Sequence, residues 1–167
     1  IVVAPGANDA LSPEFVAAQA DAFASAGVLL AQLEVAPDAV LRALQLARNR
    51  SATTVLNPAP ANAATTDELL SAADILTPNE TEFVALLQRH HGLEMKADSV
   101  AHWSDVELHD LCRRLGAATC VITLGEHGVF VSHPDDGRRG DAAASYRVGP
   151  ESVQAVDTTG AGDLYAA

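Results

Sequence analysis

The run Asp157-Thr158-Thr159-Gly160-Ala161-Gly162-Asp163 sets two hydroxyls, two glycines and two carboxylates within seven positions. Apolar VQAV precedes it and helix-compatible LYAA follows. Glycines in such a turn let successive backbone N–H groups converge, and a helix N-terminus adds partial positive charge. Together these make an anion site that needs no lysine. The carboxylate of Asp163 would look into that site and accept the proton of an attacking hydroxyl. An alcohol is a far weaker acid than a carboxylic acid, so this transfer comes late, as the new bond to phosphorus forms. The anion site formed by Gly160, Ala161 and Gly162 would meanwhile hold the oxygens of a transferring phosphoryl group. A plain helix cap, with Asp163 serving only the helix dipole, explains the same residues. A dinucleotide fingerprint does not, because it wants a small residue three positions beyond Gly162, where Tyr165 stands.

The elements that must position this chemistry alternate in period. IVVA (1–4), VLLAQLE (28–34), TTVLN (53–57), DIL (74–76) and TCVITL (119–124) read as strands. Between them run segments of helical period. Ser12 and Pro13 open a helix expected to continue to about Ala26, with Gly27 as its stop. Pro37 opens a second, with Val40, Leu41, Leu44 and Ala47 on one face, and a short helical turn spans 67–72. Thr77 and Glu80 match a capping box with Pro78 at the first helical position, ahead of a stripe of Phe83, Val84 and Leu87. Ser104 and Glu107 match another, and Gly116 closes that helix. GVFVSH, ASYRV and SVQAV then suggest a small antiparallel addition. Strand–helix alternation of this kind predicts an α/β fold, a doubly wound and mostly parallel sheet in one domain over 1–167. Ligands of such folds bind outside the carboxyl ends of the strands. The segments to search are therefore Glu34, NPAPA, TPNETE, LGEHG and the final TTGAGD.

Composition narrows the function classes. Apolar residues make up 49% and charged residues 19%, enough for a core. The net charge of −12, with Lys96 the single lysine, disfavours binding to a phosphodiester backbone. Cys112 and Cys120 show no CxxC spacing and read as free thiols of a reducing compartment. No apolar run reaches the ~18 residues a membrane helix needs, and the opening IVVA has no basic leader region, so a cytoplasmic location is expected. His109 and Cys112, three apart, lack the two further ligands a zinc site requires. His90 and His91 close a helix, where they meet its dipole.

The segment AVDTTGAGD resembles the C-terminal signature of the ribokinase-like carbohydrate kinases, the PfkB family. PGAN (5–8), LLAQLE (29–34), LNPAPA (56–61), LTPNETE (76–82) and VITLGEHGV (121–129) are similar to further family segments, in the family's order and across nearly the whole chain. The resemblance implies a ribokinase-like fold and ATP-dependent phosphorylation of a sugar hydroxyl. NPAPA and LLAQLE are most similar to the D-ribose branch; fructose, ketodeoxygluconate and nucleoside kinases, or a non-catalytic nucleotide-binding module, are the alternatives. It implies Asp163 as the base and Gly160, Ala161 and Gly162 as the anion hole. Glu34 would hydrogen-bond the sugar. Asn79 and Glu82 would organise Mg2+ and phosphate, directly or through water, with Asn79 among the ATP contacts. Thr123, Gly125 and Gly128 would line the nucleotide, and Asp157 and Thr159 would supply oxygens to an activating K+. The resemblance further implies that the chain is the middle of a longer enzyme. An N-terminal sugar-binding and lid region, through which the full-length enzyme would form a homodimer, and the C-terminal helices would be absent. Such a piece is expected to be inactive alone.

Overall fold

A computed structural model describes residues 6–60, 65–134, 141 and 143–151. Six strands form one sheet in the order β1 (Val28–Ala31), β2 (Thr53–Leu56), β3 (Ile75–Leu76), β4 (Thr119–Thr123), β5 (Val129–Ser132) and β6 (Ser145–Val148). The first four run parallel, and β5 and β6 pair antiparallel. The helices are α1 (Pro13–Ala18), α2 (Pro37–Arg48), α3 (Asp67–Ser71), α4 (Glu80–His91) and α5 (Asp105–Arg114). This is the α/β architecture the sequence predicts, a mostly parallel sheet with flanking helices. The expected strands at 1–4 and 153–156 lie outside the described residues.

Register explains where the core sits. Ala31 pairs with Leu56, Leu56 with Leu76, Leu76 with Cys120, and Ile122 with Phe130, so these residues share one face of the sheet. That face packs against Val40 and Leu44 of α2, Leu69 and Leu70 of α3, Phe83 and Leu87 of α4, and Leu108 and Cys112 of α5 in one apolar cluster. The parallel connections all step in one direction across the sheet, and right-handed crossovers then bring these helices to the same face. On the opposite face of β1, Val28 and Leu30 are exposed.

Local chemistry sets most boundaries. Pro37 starts α2, whose buried stripe is Ala39, Val40, Leu44 and Ala47. Thr66 caps α3 by accepting the Leu69 N–H at 3.1 Å. Gly92 ends α4 in the left-handed region at φ 66°, the usual glycine stop. Arg147 of β6 fastens the start of α5. It donates to Asp105 at 2.7 Å and to the carbonyls of Ala101 and Trp103 at 3.1 and 2.8 Å, and it lies over the Phe130 ring.

Two helix expectations need correction. The first helix does not run to Ala26: α1 stops at Ala18, and a 3-10 turn at Ala20–Phe23 follows. Of the residues in these two pieces only Val16 is buried, so there is little apolar face to hold a longer helix together. The fourth helix is capped by Asn79 and Glu82, not by Thr77 and Glu80. The overlapping sequences TPNE and NETE both fit a capping box. The choice falls to the second because residues 78–79 are extended against β4.

Candidate active site

The parallel strands deliver their carboxyl ends to one edge of the sheet. Past β1 the chain bends through Gln32–Val35 and exposes Glu34. The Glu34 N–H donates to Oε1 of Gln32. Glu34 borders a recess of about 400 Å³ with Asn8 and Gln32 as its other polar walls. This bend is tied to the segment after β2: the Leu33 N–H donates to the Ala59 carbonyl at 2.9 Å, and the Asn57 N–H to the Ala31 carbonyl at 2.9 Å. The Ala59–Pro60 peptide is cis.

The next strand end carries Asn79 and Glu82. Asn79 Oδ1 accepts the Glu82 N–H at 2.9 Å, while the Glu82 carboxylate accepts the Asn79 N–H at 2.9 Å and its Nδ2 at 3.1 Å. Each side chain therefore fixes the other, and Glu82 is buried. Each of the three side-chain oxygens thus already accepts one hydrogen bond within the pair.

Thr123 lies beside them. Its N–H donates to the Pro78 carbonyl at 3.0 Å, and Asn79 and Thr123 form a parallel bridge. Beyond Thr123 the chain makes a tight turn in which Leu124 N–H donates to the Gly128 carbonyl at 2.8 Å. Gly125 and Gly128 both have positive φ, 53° and 81°. They differ in what surrounds them. A Cβ on Gly125 would meet nothing within 4 Å, whereas one on Gly128 would sit 2.1 Å from the Val148 carbonyl oxygen. Gly128 is thus required by packing against the end of β6 as well as by its backbone angle.

The edge therefore brings Asn79, Glu82 and Thr123 together, with Gly125 and Gly128 next in the chain and Glu34 across β2. Asp157, Thr159, Gly160, Ala161, Gly162 and Asp163 lie outside the described residues. Three features escaped the sequence reading. The Pro78 carbonyl joins two strand ends. The exposed rings of His102 and His127 meet edge to face at 5.2 Å beside the Gly125 turn. Asn57 and Thr77 carry side-chain oxygens, Asn57 Oδ1 and Thr77 Oγ1, that are buried without a hydrogen-bond partner among the described residues. Both stand inside motif segments, but nothing in the spacing marks Asn57, and that of Thr77 suggests only a helix cap. The discarded pair His109 and Cys112 is accounted for by the fold: His109 Nδ1 meets Ser132 Oγ at 2.9 Å, and Cys112 is in the core.

Comparison with known proteins bears on the family and the fold. The family model described as pfkB family carbohydrate kinase matches residues 1–167. The ribokinase of Haemophilus influenzae is 42% identical over 166 residues, covering 99% of this chain and 48% of that protein. The ribokinase of Staphylococcus aureus is 36% identical, covering 99% and 49%. The structure of ribokinase from Giardia lamblia superposes with a TM-score of 0.78 at 26% identity, covering 99% of this chain and 48% of the other. The chain spans about half the length of the curated relatives it matches.

Proposed function

This chain belongs to the pfkB family of carbohydrate kinases, and from that premise we propose that the protein transfers a phosphoryl group from ATP to a sugar hydroxyl, with D-ribose as acceptor and ribose 5-phosphate as product. The observation that carries the choice of sugar is the 42% identity, over nearly the whole chain, to a protein named ribokinase. The geometry of the sheet edge supports the division of labour. Glu34 is exposed at the mouth of a recess, where its carboxylate can accept hydrogen bonds from sugar hydroxyls. The turn from Thr123 through Gly125 to Gly128 presents backbone beside Asn79, which suits a nucleotide lying along it. The Gly160–Ala161–Gly162 turn acts as the anion hole, and Asp163 takes the proton of the attacking hydroxyl as the bond to phosphorus forms.

The residues suit a hydrated Mg2+ better than a bare one. The oxygens of Asn79 and Glu82 already accept hydrogen bonds from each other's donors, and their remaining lone pairs can accept from water ligands, several of which magnesium ordinarily keeps. When bound, the ion neutralises charge on the phosphate oxygens. Asp157 and Thr159 supply carboxylate and hydroxyl oxygens, a donor set of the kind a K+ ion accepts. The two thiols suit a reducing, cytoplasmic compartment. Among the described residues no helix is long and apolar enough to cross a membrane.

The test is a coupled ATPase assay of the full-length protein against ribose, fructose, ketodeoxygluconate and nucleosides, with Asp163→Asn alongside. Ribose is expected to give the highest kcat/KM, and Asp163→Asn to abolish turnover while leaving ATP binding intact. Preference for another acceptor would overturn the sugar assignment. Unchanged turnover in Asp163→Asn would overturn the mechanism.

A further inference from the structure

We propose that Asn57 and Thr77 are positioning residues that hold the water shell of the divalent cation accompanying the nucleotide. The inference rests on the kinase reading above and adds two residues to it. Asn57 is 6% exposed, and among the described residues its Oδ1 has no hydrogen-bond partner. Thr77 Oγ1 is buried and equally without one. A buried polar atom left unpaired is costly, and native structures rarely leave one so. Two of them at one place point to a guest that donates hydrogen bonds.

Their position says which guest. The last ladder pair between β2 and β3 is Leu56 with Leu76, and Asn57 and Thr77 are the next residue on each strand. The Asn57 N–H donates to the Ala31 carbonyl at 2.9 Å and the Thr77 N–H to the Leu56 carbonyl at 3.0 Å, so both remain in line with the sheet. They stand between the Glu34 bend on one side and the Asn79–Glu82 pair on the other, at the centre of the carboxyl edge.

An amide oxygen only accepts hydrogen bonds, and a hydroxyl can accept as well as donate. A phosphate oxygen accepts too, so it is a poor partner for Asn57 Oδ1. Among the small guests of a sugar kinase, two can donate: a sugar hydroxyl, or water polarised by a cation. Thr77 lies two residues from Asn79, on the strand end that carries the Asn79–Glu82 pair. That proximity favours the cation's water, which donates strongly and leaves the ion's charge to be balanced by phosphate. Such outer contacts orient a metal ion without touching it.

The experiment uses the full-length protein with Mn2+ as a paramagnetic probe, titrated in the presence of ADP and read by the loss of the free-ion signal. Asn57→Ala and Thr77→Val are expected to weaken Mn2+ binding about tenfold, the lower end of what loss of an outer-shell partner costs. Thr77→Ser is expected to restore it, and melting temperature and metal-free ADP affinity should stay at wild-type values. Thr77→Val replaces an unpaired hydroxyl by a methyl group of like size, so it tests the idea even where Asn57→Ala folds poorly. Wild-type Mn2+ affinity in Thr77→Val and in folded Asn57→Ala overturns the proposal while leaving the kinase reading standing. Weaker ribose binding without weaker Mn2+ binding assigns the pair to a sugar hydroxyl and also overturns it. A wild-type protein that binds neither ADP nor Mn2+ with ADP overturns the kinase reading and this inference together.

Discussion

Asn79 is held to Thr123 as a parallel bridge partner, while the preceding Pro78 carbonyl accepts the Thr123 N–H at 3.0 Å. The side chain that caps α4 is thereby fixed against the strand that leads into the Gly125 turn. One residue serves both the fold and the proposed nucleotide site, and substitution can separate the two roles. Asn79→Ala removes the cap acceptor and is expected to lower stability by about 1 kcal/mol, within the usual range for a lost N-cap. Asn79→Ser keeps an acceptor for the Glu82 N–H and is expected to recover most of that stability. It should not recover nucleotide affinity, because the amide is gone. Denaturant midpoints and ADP titrations on the same two variants check both statements; equal recovery of stability and affinity would confine Asn79 to a structural role.

Gly125 and Gly128 make a paired test of the turn. Both have positive φ, so an alanine at either position is strained, and at Gly128 the ψ of −132° lies outside the left-handed helical region as well. At Gly125 nothing else opposes the added carbon. At Gly128 the Cβ would sit 2.1 Å from the Val148 carbonyl, so the end of β6 must move. Gly128→Ala is therefore expected to be clearly more destabilising than Gly125→Ala and to loosen β6. Hydrogen exchange of the β5–β6 amides and the denaturant midpoints of both variants measure this; matching midpoints would count against the packing argument.

How much of this was legible beforehand follows from the range of the forces involved. The starts of α2, α5 and β4 are written in local pattern, namely Pro37, the Ser104–Glu107 box and a β-branched run, and the structure agrees with each. The start of α4 was misplaced by two residues because TPNE and NETE are locally equivalent. What separates them is the bridge to Thr123, some forty positions away in sequence. The break after Ala18 reflects a missing apolar face that the Ser12–Pro13 signal does not sense. The site shows the same divide. Motif resemblance named Glu34, Asn79, Glu82, Thr123, Gly125 and Gly128, yet the orphaned oxygens of Asn57 and Thr77 emerge only when register sets β2 beside β3.

The capping box of α5 gives a signed pH dependence. Glu107 accepts from the Ser104 hydroxyl at 2.7 Å and from the Ser104 N–H at 3.0 Å, and these bonds, the hydroxyl first, hold its carboxyl below the usual range. A carboxyl with a depressed folded-state pKa favours the folded state above its unfolded value, near about 4.3. That contribution is lost as pH falls through the folded value. Wild-type protein should therefore be more stable than Glu107→Gln at about pH 6, and the two should converge as the pH falls below the unfolded-state value and through the lower folded one. A gap that stays constant across this window would show that the carboxylate charge plays no part in the cap.

The buried thiols make the opposite prediction at alkaline pH. Cys112 of α5 and Cys120 of β4 are both fully buried in the apolar cluster. A hydrogen bond with Cys112, followed by burial, pushes the Cys120 thiol well above its ordinary value. A buried, protonated thiol is a poor nucleophile. Because both side chains are shut off from solvent, neither cysteine is expected to react with a disulfide reagent at about pH 8 in the native state, and both should react once the chain is unfolded. The linkage sign follows from the raised folded-state value. Stabilisation is full below the unfolded thiol pKa, near about 8.5, and declines as pH rises above it, because the unfolded chain releases the proton first. The slope is on the order of 1.4 kcal/mol per pH unit for one thiol. Cys120→Ala removes that proton and should flatten the fall in stability between about pH 8.5 and 10 relative to wild type. Rapid native-state labelling, or an unchanged alkaline slope in the variant, would mean that α5 opens from β4 far more readily than its packing implies.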